Sequence, residues 1–248
     1  MRKWQASLLA KGYSQTYLRK IHTELTAIFN YAMKHYDLKK NPCRQAGSIG
    51  KKHADEMQFW TLEEYQRFSY AIMDKPVAFF AYQMLFWGGL RIGELTALTV
   101  QDFSFSKRTV TISKSLQRIE RKNVITEPKT PKGKRIIALP QFLCEEMQEY
   151  INMLYNAEPT DRIFQITKSF LHHEMDRGSK KSGVKRIRVH DLRHSHVSHL
   201  IQLGFNAVEI ADRLGHSGID ITLRYAHMFP TKQVEMAERL NKEGIIDV

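Results

Sequence analysis

Several things are scarce in this chain, and each scarcity excludes something. There are two cysteines in 248 residues, Cys43 and Cys144. Two are too few for a disulfide framework and carry no metal-type spacing, which fits a reducing cytosol. No apolar leader opens the sequence: Met1-Arg2-Lys3-Trp4 runs into a mixed polar and apolar segment, so no secretory signal is expected. The most apolar window, Val77 to Leu90, is broken by Gln83 and two glycines. It is too short to span a bilayer and reads as a buried helix. These absences together predict a cytoplasmic location and no membrane role. Acid is also in short supply, with 26 Asp and Glu against 38 Lys and Arg, a formal net charge of +12. Such a surplus predicts a polyanionic partner. The basic residues are spread over both halves and do not gather on one amphipathic face, which favours nucleic acid over a membrane surface. Apolar residues make up 42%, enough to bury a real core.

The pattern along the chain divides it. Residues 1–45 read as a helical module, with Tyr17, Ile21, Leu25, Ile28, Phe29 and Ala32 at helical spacing. Ser14 is the expected N-cap, and Asn41-Pro42 is expected to stop the run near residue 40. Residues 1–60 hold eleven Lys and Arg and four Asp and Glu, a charge suited to gripping phosphates. Residues 46–58 lack apolar periodicity and read as a linker. A second domain is expected over 59–248. Thr61 with Glu64 has the spacing of a capping box and marks a helix start. A helix from about Val77 ends at Gly88-Gly89, and another follows Arg91. Thr109–Ser113 alternates as a strand, and Arg135–Leu139 reads as another, stopped by Pro140. Between Lys107 and Arg135 lie ten Lys and Arg and two Asp and Glu, which predicts a basic β-ribbon. Gln141–Asn156 reads as helix, Arg162-Ile163-Phe164 as a short strand, and 172–188 as a basic loop. From His190 the chain reads as helical, broken at Gly204, Gly215, Gly218 and Pro230. The fold class is therefore mainly α with a small antiparallel β-sheet. No repeat or low-complexity tract is present.

The chemistry-bearing residues are unevenly placed. Tyr225 follows His216 by nine residues in LGHSGIDITLRYAH. A phenol has a pKa of about 10, so attack on phosphorus requires cations and a base nearby. HDLRHSHVSH crowds His190, Arg193, His194, His196 and His199 into one stretch. His190 and His194 are spaced as metal ligands on one helix face, but no HExxH-type glutamate lies between them and Arg193 would sit beside the ion. His190 with Arg193 suits phosphate binding and proton handling better. His196 and His199 read as structural. Arg91 in GGLRIGEL sits at a turn before a helix, where it could equally be a surface cap. Glu94 could orient Arg91 or belong to the acidic first turn.

Taken together, Arg91 in GLRIGEL, Lys129 in PKTPKGKR, His190 and Arg193 in HDLRH, His216 in LGH and Tyr225 in RYAH resemble the tyrosine recombinases. More narrowly, they resemble the integrases of temperate phages and conjugative transposons. Each motif alone is weak; five in this order, with a basic ribbon between the first arginine and the histidine, form a specific match. The resemblance implies a helical core-DNA-binding domain joined to a DNA breaking and rejoining domain. Tyr225 would form a 3′-phosphotyrosyl link, and Arg91 and Arg193 would hold the phosphate oxygens. Lys129 would be the general acid, with Lys132 and Lys134 as neighbouring candidates. His190 would assist proton transfer, His216 would hydrogen-bond the phosphate, and Glu94 would support the site. No metal or other cofactor is implied.

The partners implied are double-stranded DNA at attachment or core sites, three further copies of the chain in a tetrameric synapse, and an excisionase or host DNA-bending protein as helper. Lys51, Lys52, Lys114, Arg118, Arg121, Lys122, Lys132, Lys134 and Arg135 are the expected DNA contacts. A terminal helix over 231–241 would dock on a neighbouring protomer or fold back on its own. Nothing resembles the arm-site-binding domain that usually precedes such a chain, and residues 1–11 read as the end of a longer unit. The same catalytic set would also serve a type IB topoisomerase acting as a monomer. Either way, duplex DNA affinity should fall steeply with salt. Six phosphate contacts give a slope of about −5 in log affinity against log salt, measurable by fluorescence anisotropy. A flat response between low and moderate salt would contradict a phosphate-gripping surface.

Overall fold

A computed structural model of the chain describes residues 1–51, 57–120, 122–128, 130–216, 218, 225 and 237. It divides into two compact units, Met1–Met57 and Gln58–Val248.

The first unit contains helices α1 (Arg2–Leu9), α2 (Gln15–His35) and α3 (Pro42–Ala46). Ser14 caps α2, its hydroxyl accepting from the Tyr17 amide. The expected continuous run is thus two helices separated by a turn. Asn41-Pro42 also acts differently from expectation: it starts a helix. Pro42 occupies the first turn, where a missing N–H costs nothing. The buried Asn41 amide accepts from the Cys43 backbone at 2.8 Å and donates to Thr26 O at 3.0 Å, pinning α3 to α2. Within α2 the fully buried positions are Leu18 and His22, while Tyr17 and Ile28 are exposed. The inward face is therefore rotated from the apolar stripe.

The second unit continues with α4 (Leu62–Ala71), α5 (Pro76–Trp87), α6 (Ile92–Ala97), β1 (Phe103–Ser104), β2 (Thr109–Ile112), β3 (Ser115–Ile119), β4 (Lys122–Thr126) and β5 (Arg135–Ala138). After these come α7 (Gln141–Met153), α8 (Lys168–Ser182), α9 (Leu192–Gln202) and α10 (Ala207–Leu214). The capping box at Thr61 is formed: the Thr61 amide donates to Glu64 at 2.9 Å and the Glu64 amide to Thr61 Oγ1 at 3.2 Å. Strands β1, β2 and β5 make an antiparallel sheet in that order, with Val110 opposite Ile137 and Thr111 opposite Ile136. Strands β3 and β4 form a separate antiparallel ribbon, Leu116 opposite Ile125. The ribbon is mostly exposed, whereas Val110, Ile112 and Ile137 of the sheet are buried.

The core lies around α5, which is apolar on nearly every face and buried from Phe80 to Phe86. Tyr65 of α4 stacks on Phe86 with ring centroids 3.7 Å apart. The Tyr82 hydroxyl donates to Leu171 O at 2.6 Å, giving a buried phenol a partner. Trp60 at the head of the unit is tied to α9 by a 2.9 Å bond from its amide to Ser195 Oγ.

Two expectations fail here. Residues 172–188, expected as loop, fall largely within α8, which Thr167 caps by accepting from Phe170 N. Its buried positions are Leu171, Glu174, Met175, Gly178 and Ser179. Three of those five are polar or glycine, so the inward face carries no apolar stripe to read. Arg162-Ile163-Phe164 makes only an isolated bridge, Thr99 to Arg162.

Gly178 is where α8 meets α4. A methyl there would run into the Phe68 ring and lie 2.6 Å from Ile72 Cγ2. Both neighbours are fully buried, and Phe68 is wedged between Trp60 and Tyr82. Gly178→Ala should therefore lower stability by about 1–3 kcal/mol despite the better helix propensity of alanine. Urea unfolding checks this, and an unchanged or raised midpoint would contradict it.

Candidate active site

The site is built where several chain breaks meet. Gly89 follows the end of α5 with φ +62°, and a Cβ on it would lie 2.6 Å from His196 Cδ2 and 2.8 Å from Leu214 Cδ2. Glycine therefore lets α9 and α10 close on the end of α5. Two residues on, Arg91 is the N-cap of α6. Its amide donates to Glu94 Oε2 at 3.0 Å and its Nη1 to Glu94 Oε1 at 2.7 Å. The Arg91 side chain stays 40% exposed, so its head remains accessible to an anion.

Arg193 projects from the first turn of α9 into the protein. Its Nη1 donates to Gly89 O and its Nη2 to Leu214 O, both at 2.6 Å. Burial, and then the neighbouring Arg91 charge, pull its pKa down to about 9, which leaves it protonated at neutral pH. Gly215 ends α10 in the left-handed region at φ +65°, and Lys132 O lies 2.5 Å from where its Cβ would be. Only a glycine fits there, and it turns the chain so that His216 follows, buried, near Arg193. Burial followed by the Arg193 and Arg91 charges holds His216 near about 3. His190 is lowered by burial and then Arg193, so both imidazoles are neutral at physiological pH.

Tyr225 is buried at 3% exposure, close enough to Arg193 for its charge to be felt there. Its hydroxyl is hydrogen-bonded to Nδ1 of His194. Sequence reasoning had placed His194 only in a weighed metal pair with His190. Those two rings lie 5.7 Å apart and nearly perpendicular. Among the described residues, no group of three or more His, Cys, Asp or Glu is arranged to hold a metal ion.

Glu94 is the second feature the sequence underplayed. It is buried and held from two sides: Arg91 on one, and Arg135 on the other through Nη1 at 3.1 Å and Nη2 at 2.8 Å. Arg135 also donates to Arg213 O at 3.1 Å and is itself 6% exposed in its side chain. It was expected as a DNA contact; the structure turns it inward as the counter-charge of Glu94. Lys114 is likewise committed inward, to Asp102 at 2.9 Å and Thr99 Oγ1 at 2.8 Å. The sequence showed only that both sit in a basic stretch, which does not say which way a side chain faces.

Arg118 and Lys122 are exposed on the ribbon. Lys132 and Lys134 are exposed beside a cavity that His216 and Gly215 also line, and Lys134 makes a surface pair with Glu127 at 3.0 Å. Lys51 is exposed in the first unit. Lys129, Lys52, Arg121 and nearly all of 231–241 lie outside the described residues. A cavity of about 950 Å³ opens beside Arg91 and His190, lined also by Arg118, Arg162, Lys168 and Arg188. The last three were missed from the sequence, where they stand apart with no shared motif. The concave, cationic character of this surface suits a phosphate backbone.

Comparison with known proteins places the chain among relatives. Residues 60–232 match the phage integrase family. The chain is 32% identical to the ICEBs1 integrase of Bacillus subtilis (strain 168), covering 94% of this chain and 67% of that protein. It is 29% identical to a tyrosine recombinase of Pseudothermotoga lettingae, covering 93% and 77%. The chain thus spans about two thirds of the length of the first curated relatives it matches. Among solved structures, the Tn1549 transposon integrase in complex with a circular intermediate DNA shares the fold. The TM-score is 0.78 at 23% identity, covering 97% of this chain and 83% of that one.

The Glu94 network has a pH signature. Burial alone would raise the Glu94 carboxyl from its ordinary 4.5, but the Arg135 hydrogen bonds and charge outweigh it and bring it to about 2. A depressed carboxylate contributes stability that is fully present above 4.5 and lost as pH falls toward 2. Arg135→Ala should therefore cost about 3–5 kcal/mol at pH 7, because a buried carboxylate loses its partner. The penalty should shrink once Glu94 protonates. Urea unfolding at pH 7 and near pH 3 measures both, and a pH-independent penalty would contradict the assignment.

Proposed function

The chain belongs to the phage integrase family, and from that premise we propose that it breaks and rejoins DNA through Tyr225 as a site-specific recombinase of a mobile element. The observation that carries the residue roles is convergence on Arg193: Arg91, Tyr225, His216 and His190, drawn from four stretches of the chain, each lie within its electrostatic reach. The Tyr225 oxygen attacks the scissile phosphorus and the bond to the 5′ oxygen breaks. A 3′-phosphotyrosyl link and a 5′-hydroxyl result. The link conserves the energy of the phosphodiester, so rejoining is the reverse attack by a 5′-hydroxyl and needs no nucleotide.

Arg91 and Arg193 stabilise the extra negative charge on the non-bridging oxygens as phosphorus becomes pentacoordinate. A guanidinium carries five N–H donors, so Arg193 can grip two carbonyls and still offer hydrogen bonds. His216 and His190, held neutral, act as hydrogen-bonding and proton-handling groups. Lys129 supplies the proton for the leaving 5′ oxygen, with Lys132 and Lys134 as the alternatives nearby. The exposed ribbon and the basic cavity grip the flanking phosphates. The Met1–Met57 unit serves as the core-DNA-binding module, helped by its positive charge. The working assembly is a tetramer on two DNA sites in the cytoplasm, with an excisionase or a host DNA-bending protein biasing direction. The solved Tn1549 integrase complex with a circular intermediate DNA supports a DNA partner for this chain.

Relaxation of supercoiled plasmid in EDTA, quenched with detergent, tests the central step. Wild type should relax the plasmid and leave a covalent protein–DNA adduct, while Tyr225→Phe should do neither. Arg91→Ala should slow adduct formation by about 10²–10³-fold. Activity surviving Tyr225→Phe would overturn the nucleophile. Exchange of strands between two different duplexes separates a recombinase from an enzyme that only relaxes DNA.

A further inference from the structure

The Tyr225 hydroxyl meets His194 Nδ1, and the other ring nitrogen of His194, Nε2, faces Asp191 Oδ1 at 3.8 Å. Asp191 is 2% exposed and held by Arg188, whose Nε lies 3.0 Å from both carboxylate oxygens. The geometry points to His194 as the base that takes the proton from Tyr225 during attack, with Asp191 orienting its ring. This assignment rests on Tyr225 being the nucleophile.

A buried carboxylate beside Nε2 favours the tautomer with hydrogen on that nitrogen, which leaves the Nδ1 lone pair for the phenol proton. Among the described residues, the charged and titratable groups around His194 are Asp191, His190, Arg188, Arg193, His216 and Tyr225. Burial outweighs the Asp191 charge and keeps the free imidazole neutral at physiological pH, so the lone pair is available. The step balances. As the Tyr225 oxygen bonds to phosphorus, its O–H bond breaks and the proton moves to His194 Nδ1. The new imidazolium lies against the Asp191 carboxylate, and the 5′ oxygen leaves with a proton from the separate acid. On rejoining, His194 returns the proton to Tyr225. The assignment divides the labour: His194 serves the nucleophile, while Lys129 serves the leaving group.

The test uses the whole chain and a nicked duplex carrying the attachment site, with Tyr225→Phe as the control for the underlying reading. If wild type forms no adduct, that reading fails; if wild type reacts and Tyr225→Phe does not, the variants below judge His194 alone. Asparagine places an oxygen where Nδ1 stood, so His194→Asn keeps an acceptor but removes the base. Single-turnover adduct formation should fall about 10²-fold or more. The deficit should narrow as pH rises toward the phenol's own value of about 10, because ionised tyrosine needs no base. A 5′-bridging phosphorothioate, whose sulfur leaves without a proton, should rescue Lys129→Ala and leave His194→Asn slow. Wild-type rates for His194→Asn, or its rescue by the sulfur substrate, would overturn the assignment. A measurement on the unmutated protein guards against misfolding of the variant. In ¹⁵N NMR of labelled histidines, His194 Nδ1 should be unprotonated and should shift in Tyr225→Phe. A proton on Nδ1 would overturn the proposal.

Discussion

One buried cation organises this fold. Arg193 reaches from α9 to the carbonyls of Gly89, just past α5, and of Leu214, the last residue of α10. Carbonyls at helix C-termini lack intrahelical partners and carry partial negative charge, so a guanidinium there is doubly favoured. Without those two acceptors a charge at 4% exposure would be very costly. The consequence is positional. Arg91 lies two residues beyond one gripped carbonyl and His216 two beyond the other. The bonds that make Arg193 tolerable inside the protein therefore also fix where Arg91 and His216 stand. Gly89 and Gly215 are part of the same constraint, since a side chain at Gly89 would press on His196 and Leu214, and one at Gly215 on the Lys132 carbonyl and Arg135.

The electrostatics around that anchor are deliberately unbalanced. Arg91, Arg193 and Arg135 crowd one buried carboxylate, Glu94. Glu94 satisfies Arg135 and part of Arg91, and the surplus is positive. A surplus of fixed cations beside a single carboxylate suits an anionic ligand. Burial, helped by the same surplus, drives His190 and His216 neutral. Neutral imidazoles can accept as well as donate, which imidazolium cannot. Cationic work is thus left to arginines, whose charge survives burial, and hydrogen bonding to histidines, whose charge does not.

What the sequence made legible follows from which signals are local. The Thr61 capping box, the end of α5 at paired glycines and the alternation in β2 each depend on neighbours within a few residues, and each is present in the structure. The ordered motifs were enough to identify the family. What failed depends on distant partners. Helix α8 was hidden because Glu174, Gly178 and Ser179 face inward, where Lys75 neutralises Glu174 and Phe68 fills the space over Gly178. Arg135 and Lys114 look like ribbon surface by position, and only the fold shows Glu94 and Asp102 waiting for them. His194 stood among three other histidines, and nothing in HDLRHSHVSH says which one meets a tyrosine 31 residues later.

That last failure has a general cause. Successive residues on a helix point about 100° apart, so Arg193, His194 and His196 face three different ways. In an ordinary helix two of those directions would be solvent. In α9 Leu192, Arg193, Ser195, His196, Val197, Ser198, Leu200 and Ile201 are all buried. A helix this polar, enclosed this fully, loses much of the burial free energy that an apolar helix such as α5 contributes in the same core. It is retained because each direction meets something: carbonyls for Arg193, the Asp191 backbone and the Trp60 amide for Ser195, the Arg213 guanidinium for His196, Tyr225 for His194. Such a segment breaks the rule that buries apolar groups and exposes polar ones, and chains break that rule chiefly where chemistry requires it. The enclosed polar helix is therefore the clearest structural sign of where this protein works, and hydropathy alone would have assigned it to the surface.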